Sequence, residues 1–200
     1  MKKILLIGLI LTGLSFSVSA QGFYFDIGLG VGGATTKIDE YDVGDLFKGS
    51  GVIDLGVDLG LKAGYGPFGE VPLYIVGEFG GIGHRFQDNY NYMQFNSYII
   101  GAGLILYPVR LLQLAGTIGY SYVANVTDVP GVIFYNSKGG IAWDASLALD
   151  FGKQNHGFLL GIRYFGSTNT LEVSNAKLTS NVFTTFIKYA FRHKIERQTP

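Results

Sequence analysis

The chain has no cysteine, and charged residues make up only 15% of its 200 positions. The absence of cysteine excludes disulfides and a lipid-anchored N-terminal cysteine, so hydrogen bonding and packing must hold the fold together. Fifteen basic residues balance fifteen acidic ones. This balance argues against a nucleic-acid-binding protein and against strong electrostatic steering of a charged partner.

Long apolar runs are also scarce. Residues 4–14 form the main one; Lys2 and Lys3 precede it, and the small residues 18–20 follow it just before Gln21. This order predicts a secretory signal peptide over residues 1–20, because an uncleaved helical anchor needs a longer apolar core. No other stretch approaches the length of apolar sequence that a transmembrane helix requires. The mature chain is therefore predicted to contain no helical membrane span.

Strict alternation is what the sequence has in abundance, and residues 52–66 show it best. Every odd position from Ile53 to Tyr65 is apolar, whereas every even position from Asp54 to Gly64 is charged or glycine. Because side chains of a strand point alternately to opposite faces, this is one strand with an apolar face and a polar face. A usual strand has about 5–6 residues, whereas a tilted membrane-spanning strand needs about 9–11. The length favours a membrane strand.

Seven more runs alternate in the same way, which makes an even total of eight, as in single-chain bacterial barrels. A soluble barrel would turn the glycine-rich face to water, where glycine weakens a strand without any gain. We therefore predict an all-β, eight-stranded antiparallel up-and-down transmembrane β-barrel over residues 21–191, followed by a periplasmic tail at 192–200. The seven further runs are 23–32, 73–82, 97–106, 112–122, 143–151, 158–164 and 183–191.

The segments between the runs alternate in length. Outer-membrane barrels have short periplasmic turns and longer outer loops, so the pattern predicts that both termini lie in the periplasm. The predicted long loops are residues 36–51, 84–95, 125–138 and 167–180, and the predicted short turns are 66–72, 107–111 and 152–156.

The alternate positions that are predicted to point into the barrel carry both charged and apolar side chains. Arg163 is predicted to reach across the lumen to Glu78 or Asp58, and Asp26 is predicted to pair with Lys188 on the neighbouring strand. Two interpretations stay open: ion pairs that hold a filled barrel shut, or a polar gate along a narrow path. The predicted lumen charge network is Asp26, Asp54, Asp58, Lys62, Glu78, Asp144, Arg163 and Lys188. The apolar residues of the same face are Val76, Ile82, Ile99, Ile105, Leu159, Phe165 and Phe186.

The sequence shows no recognisable grouping of catalytic or metal-ligating residues. The three histidines, His84, His156 and His193, are far apart in the sequence, and none stands beside a nucleophile or within a metal-ligand spacing. The glycines of residues 28–33 match a dinucleotide fingerprint by letter, but they lie inside a strand and open no helix. We therefore expect no enzyme, no cofactor and no bound metal. A membrane-embedded lipid-modifying enzyme is the least favoured interpretation.

The last run, Thr184 to Phe191, resembles the C-terminal assembly signal of outer-membrane proteins, with Tyr189 and Phe191 as its paired aromatics and Phe186 where glycine is common. With the eight alternating runs, it makes the chain resemble the small barrel families of the OmpA transmembrane domain, OmpX and OmpW. The resemblance implies an outer-membrane location in a diderm bacterium, with outer-membrane lipid as a partner.

Two roles follow from that resemblance. The OmpA and OmpX type implies a structural or adhesive role, with an extracellular ligand or host surface bound through the loops. The OmpW type implies passage or binding of small hydrophobic molecules, in a porin-like manner. The ligand and the oligomeric state stay open.

Overall fold

The computed structural model describes residues 20–47, 52–68, 71–129, 136–152 and 155–192. The predicted signal peptide lies outside this part except for Ala20, and residues 193–200 of the predicted tail lie outside it as well. No helix among the described residues has both the length and the apolar character that a membrane crossing requires.

Eight long antiparallel strands form a closed barrel, which confirms the predicted fold class. Each strand pairs with its neighbour in sequence, and the first long strand pairs with the last, so that the sheet has no open edge. The long strands are β1 (Ala20–Ile38), β3 (Ile53–Phe68), β4 (Leu73–Gln87), β5 (Tyr92–Val109), β6 (Leu112–Thr127), β7 (Ser137–Asp150), β8 (His156–Leu171) and β9 (Lys177–Arg192). Between β1 and β3 lie the short strand β2 (Tyr41–Asp42) and a 3-10 helix, Val43–Leu46.

The two ends of the barrel differ. We call the end with the connections 39–52, 88–91, 128–136 and 172–176 the loop end, and the opposite end, where β1 begins and β9 ends, the terminus end. The strands run for 14 to 19 residues, so they extend well beyond the length that a membrane requires.

This extension corrects several sequence-based boundaries. The sequence pattern predicts long loops at residues 84–95 and 167–180, but only residues 88–91 and 172–176 lie outside strands there. Backbone pairing continues through polar residues such as Thr168 and Thr170, because ladder hydrogen bonds do not depend on apolar side chains. Arg192, predicted as the first tail residue, is the last residue of β9. Of the four connections at the loop end, only 39–52 and 128–136 are clearly longer than the turns at the opposite end.

The outer wall of the barrel is apolar. Large aliphatic side chains stand on it with most of their surface uncovered, for example Leu59 at 61% and Ile118 at 65%. A contiguous apolar belt of this kind would be unstable in water and is satisfied by lipid. Aromatic residues flank the belt towards its two ends, among them Phe23, Tyr65, Tyr122, Tyr164 and Tyr189.

The inner wall is packed with side chains in layers. An apolar cluster beneath the loop end includes Phe86, Met93 and Phe95. A second apolar layer follows below it, with Ile82, Ile99 and Phe165, and another lies towards the terminus end. Charged side chains lie between these apolar layers.

Candidate functional site

A cluster of five charged side chains occupies the middle of the lumen: Asp58, Lys62, Glu78, Asp144 and Arg163, called here the central charge cluster. They project inward from β3, β4, β7 and β8, and each is at most 3% exposed. Nη2 of Arg163 lies 2.5 Å from Oε1 of Glu78 and 2.6 Å from Oδ2 of Asp144, and its Nη1 lies 3.5 Å from Oδ1 of Asp58. One guanidinium thus contacts carboxylates from three other strands across the lumen.

Lys62 is the second base of the cluster and contacts two of the carboxylates that Arg163 also contacts. It stands opposite Glu78 in the β3–β4 register, and its Nζ lies 3.1 Å from Oε2 of Glu78 and 3.2 Å from Oδ1 of Asp144. Lys62 Nζ also donates to Oγ1 of Thr117 at 2.9 Å, while Thr184 donates its hydroxyl hydrogen to Asp58. Both threonines lie on the inward parity, but nothing in the sequence marks them as partners of the charges.

Glycine gives the cluster its room. A Cβ atom at Gly60 would lie 3.3 Å from Nη1 of Arg163 and 3.8 Å from Oε1 of Glu78. In so narrow a barrel, a larger residue there would compete with the guanidinium for the same space. The glycines on the inner face are therefore part of how long charged side chains fit inside.

Two further ion pairs lie towards the terminus end. Nζ of Lys188 is 3.6 Å from Oδ1 of Asp26, and the hydroxyl of Tyr24 donates to Oδ2 of Asp26 at 2.6 Å. At the end of the barrel, Nη2 of Arg192 lies 2.6 Å from Oδ2 of Asp150. Arg192 is outside the predicted network because the sequence pattern assigns it to the tail.

Asp54 does not belong to the central charge cluster, although the sequence predicts it in the same network. It is the second residue of β3, at the loop end, and its side chain is 49% exposed. The alternation of the strand places Asp54 on the inner face, as the structure does. It lies nearer to the loop end than the central charge cluster, however, and therefore does not contact it. Oδ1 of Asp54 instead lies 2.6 Å from Nε2 of His84.

His84 connects that carboxylate to a hydroxyl, since its Nδ1 lies 2.7 Å from Oγ1 of Thr36. An acid–histidine–hydroxyl arrangement is the geometry that acyl-transfer enzymes use. Here, however, Thr36 is fully buried, and the ring of Phe86 covers His84 with 4.0 Å between ring centroids. Phe47 stacks on Phe86 in turn. A substrate has no approach to the hydroxyl, and the three residues form a hydrogen-bond chain that runs from the exposed carboxylate of Asp54 to the buried Thr36.

The lumen is closed at the height of the central charge cluster. Ile82, Ile99 and Phe165 pack on its loop side, and Leu159 and Phe186 on its terminus side, all at most 3% exposed. Side chains that line a water-filled channel would expose surface to water, and these do not. The apolar residues that parity places on the inner face therefore fill the barrel together with the ion pairs.

The loop end carries an excess of acidic residues. At one of them, Asp88, the backbone N–H groups of Asn91 and Tyr90 donate to the carboxylate and lower its pKa. Among the described residues of this end, the acidic ones are Asp39, Glu40, Asp42, Asp45, Asp54, Asp88, Asp128 and Glu172, against the bases Lys37, Arg85, Lys138 and Lys177.

No protein-family model and no curated protein matches the chain, but solved structures do. Ail of Yersinia pestis, the attachment invasion locus protein, in complex with the heparin analogue sucrose octasulfate, matches with a TM-score of 0.55 and 16% identity over 86% of this chain and 100% of that one. A second Ail structure matches with a TM-score of 0.54 and 18% identity over 84% and 98%.

Neisserial surface protein A matches with a TM-score of 0.49 and 15% identity over 84% of this chain and 97% of that one. The likeness to the two Ail structures shows that the chain has the fold of small eight-stranded outer-membrane β-barrels. At these identities, the likeness concerns the fold and not the ligands.

Proposed function

We propose that this protein is a surface-exposed outer-membrane barrel whose role is structural or interactive, carried by its loop end. The observation that carries the proposal is the closed lumen: the central charge cluster and the apolar layers around it fill the barrel at mid-height. A filled barrel offers partners only its ends and its outer wall. The buried position of Thr36 beside His84 likewise favours a protein without catalytic activity.

The proposed orientation has both termini in the periplasm and the loop end outside the cell. The signal-like segment at residues 1–20 supports export. The two longest connections, 39–52 and 128–136, both lie at the loop end, which is typical of the outer side of such barrels.

The charge of the loop end favours a basic partner. The described residues of this end include eight acidic and four basic side chains. The resulting negative electrostatic field attracts cations and repels polyanions. Ail, in contrast, forms a complex with a heparin analogue, sucrose octasulfate, which is a sulfated polyanion. The acidic loop end of the present chain favours the opposite class of partner, a lysine- or arginine-rich protein surface.

Charge removal at Glu40 and Glu172 tests this proposal, since both residues are exposed. With the barrel in nanodiscs, we expect the double variant Glu40→Gln/Glu172→Gln to bind poly-lysine roughly two- to tenfold more weakly, because each exposed ion pair contributes only modestly. The matched control Lys37→Gln should bind at least as tightly as the wild type. Tighter binding of heparin than of poly-lysine by the wild-type barrel would refute the proposal.

A second candidate function is passage or binding of a small hydrophobic molecule. It is favoured by the apolar residues of the lumen, such as Ile99 and Phe165 on one side of the charges and Leu159 on the other. Any passage would require the ion pairs of the central charge cluster to separate.

Flux measurements distinguish the two candidates. We expect planar bilayers that contain the wild-type barrel to conduct no more than protein-free bilayers, because side chains close the lumen at mid-height. Proteoliposomes should likewise take up a small apolar solute no faster than empty liposomes. Uptake that depends on the protein would establish the second function instead.

A further inference from the structure

A basic residue, Arg85, stands on the outer wall of the barrel. Arg85 faces outward from β4 near the loop end, and neighbouring outward positions on β4 and β5 carry polar side chains instead of the apolar ones found below them. We call these five residues the outer-wall patch: Arg85, Gln87, Tyr92, Gln94 and Asn96. All five are half-buried.

The guanidinium of Arg85 is held in place by its neighbours. Its Nε donates to Oε1 of Gln87 at 2.9 Å and its Nη1 donates to Oε1 of Gln94 at 3.4 Å, while the ring of Tyr92 lies 4.6 Å from its Cζ. An arginine has five N–H donors, so two bonds leave three for a ligand. Among the described residues, no carboxylate forms an ion pair with Arg85.

The patch lies at a height where lipid still covers the wall. In the register of the sheet, Leu55 on β3 stands beside Arg85, and Val126 on β6 stands beside Gln94. Both apolar side chains are more than 40% exposed. Polar residues flanked on either side by exposed aliphatic ones belong to the zone of lipid contact and not to open water.

The wall directly below Arg85 is recessed. The next two outward positions on β4 are Gly83 and Gly81, between Val57 and Leu59 on one side and Asn96 and Tyr98 on the other. A Cβ atom at Gly81 would have its nearest neighbour at 3.5 Å, which is ordinary contact. Packing within the barrel therefore does not require glycine at this position.

We propose that the outer-wall patch binds the phosphate headgroup of a lipid in the leaflet at the loop end, with Arg85 as the main contact. A planar guanidinium matches a phosphate with two parallel hydrogen bonds. At this height near the loop end, the guanidinium lies within reach of lipid headgroups, and Gln87, Tyr92 and Gln94 pre-position it for a phosphate there. The acidic connections nearby repel soluble polyanions, whereas a lipid phosphate reaches Arg85 from the membrane side. This binding is independent of the proposed role of the loops.

Native mass spectrometry of the barrel in detergent micelles containing phosphorylated lipid A tests this site. We expect Arg85→Gln to bind the lipid about ten- to a hundredfold more weakly than the wild type, since a charge-assisted bidentate contact is lost. The matched control is Arg110→Gln, which removes the same charge from an exposed turn at the terminus end. Circular dichroism verifies that each variant remains a barrel.

The outcomes separate as follows. Loss of lipid A binding in Arg85→Gln alone supports the site. Equal binding by Arg85→Gln and the wild type, or an equal loss in Arg110→Gln, overturns it. Displacement of lipid A by inorganic phosphate at similar concentrations would also overturn it, because the site would then recognise a soluble anion and not a lipid.

Discussion

Replacement of Arg163 by alanine is expected to lower the free energy of unfolding by about 3–5 kcal/mol, the usual cost of removing one member of a buried charge pair. Arg163 touches Asp58, Glu78 and Asp144. Without it, Lys62 still contacts Glu78 and Asp144, but among the described residues no other base forms an ion pair with Asp58. The loss exceeds the energy of any single contact, because the unpaired carboxylates stay buried between apolar layers.

Unfolding by guanidinium chloride in lipid vesicles measures this effect. Trp143 is the single tryptophan of the chain and lies on the outer wall, so its fluorescence reports whether the strands remain in lipid. The matched control Arg110→Ala removes an arginine from an exposed turn, where even an ion pair contributes only about 0–1 kcal/mol, so its effect should stay well below that of Arg163→Ala. Equal stabilities of Arg163→Ala and the wild type would show that the central charge cluster does not hold the barrel together.

A double variant isolates the electrostatic cause. With Glu78 already replaced by glutamine, Arg163→Ala should cost less than it does in the wild type, because one of the stranded carboxylates is gone. Such coupling between neighbours is expected only for residues that interact directly. Additive losses would assign the effect to packing of the arginine side chain instead.

The sequence predicts faces of the barrel better than heights along it. Alternation alone places Glu78, Arg163 and Phe165 inside and Leu59 and Ile118 outside, because the period of a strand is two and a shift would turn every side chain over. The same rule places Asp54 on the inner face but says nothing of its distance from Arg163. That distance depends on the stagger of strands around the closed sheet, which a single strand does not contain.

The alternating pattern of apolar residues also does not predict where the strands end. Residues near Thr168 and Gln94 are polar on the outer side, and their apolar alternation fades although they remain paired. Hydrophobicity marks where lipid covers the wall, whereas backbone hydrogen bonds continue past it. The hydrogen bonds of Thr117 and Thr184 to the charged residues cannot be predicted from the pattern for another reason. They form only when strands that are distant in sequence come together in the barrel.

A charge on the outer wall tests the membrane location independently of any functional assay. Ile118 lies near the middle of β6 and is 65% exposed, so Ile118→Arg would place a guanidinium in the hydrocarbon region. We expect a loss of about 2–4 kcal/mol in unfolding free energy, the usual cost of an arginine near the midplane of such barrels. In a soluble barrel, the same exposed position would accept arginine almost without cost.

Val126→Arg provides the control on the same strand. Val126 also faces outward, but it lies near the loop end and is 45% exposed, so its arginine reaches the headgroup zone and should cost about 0–1 kcal/mol. Equal costs at both positions would contradict a lipid-covered belt. A large cost at Ile118 and a small one at Val126 would also set the height of the outer-wall patch, because Val126 stands beside Gln94 in the same register. The depth of Arg85 in the membrane would then follow from the measured energies.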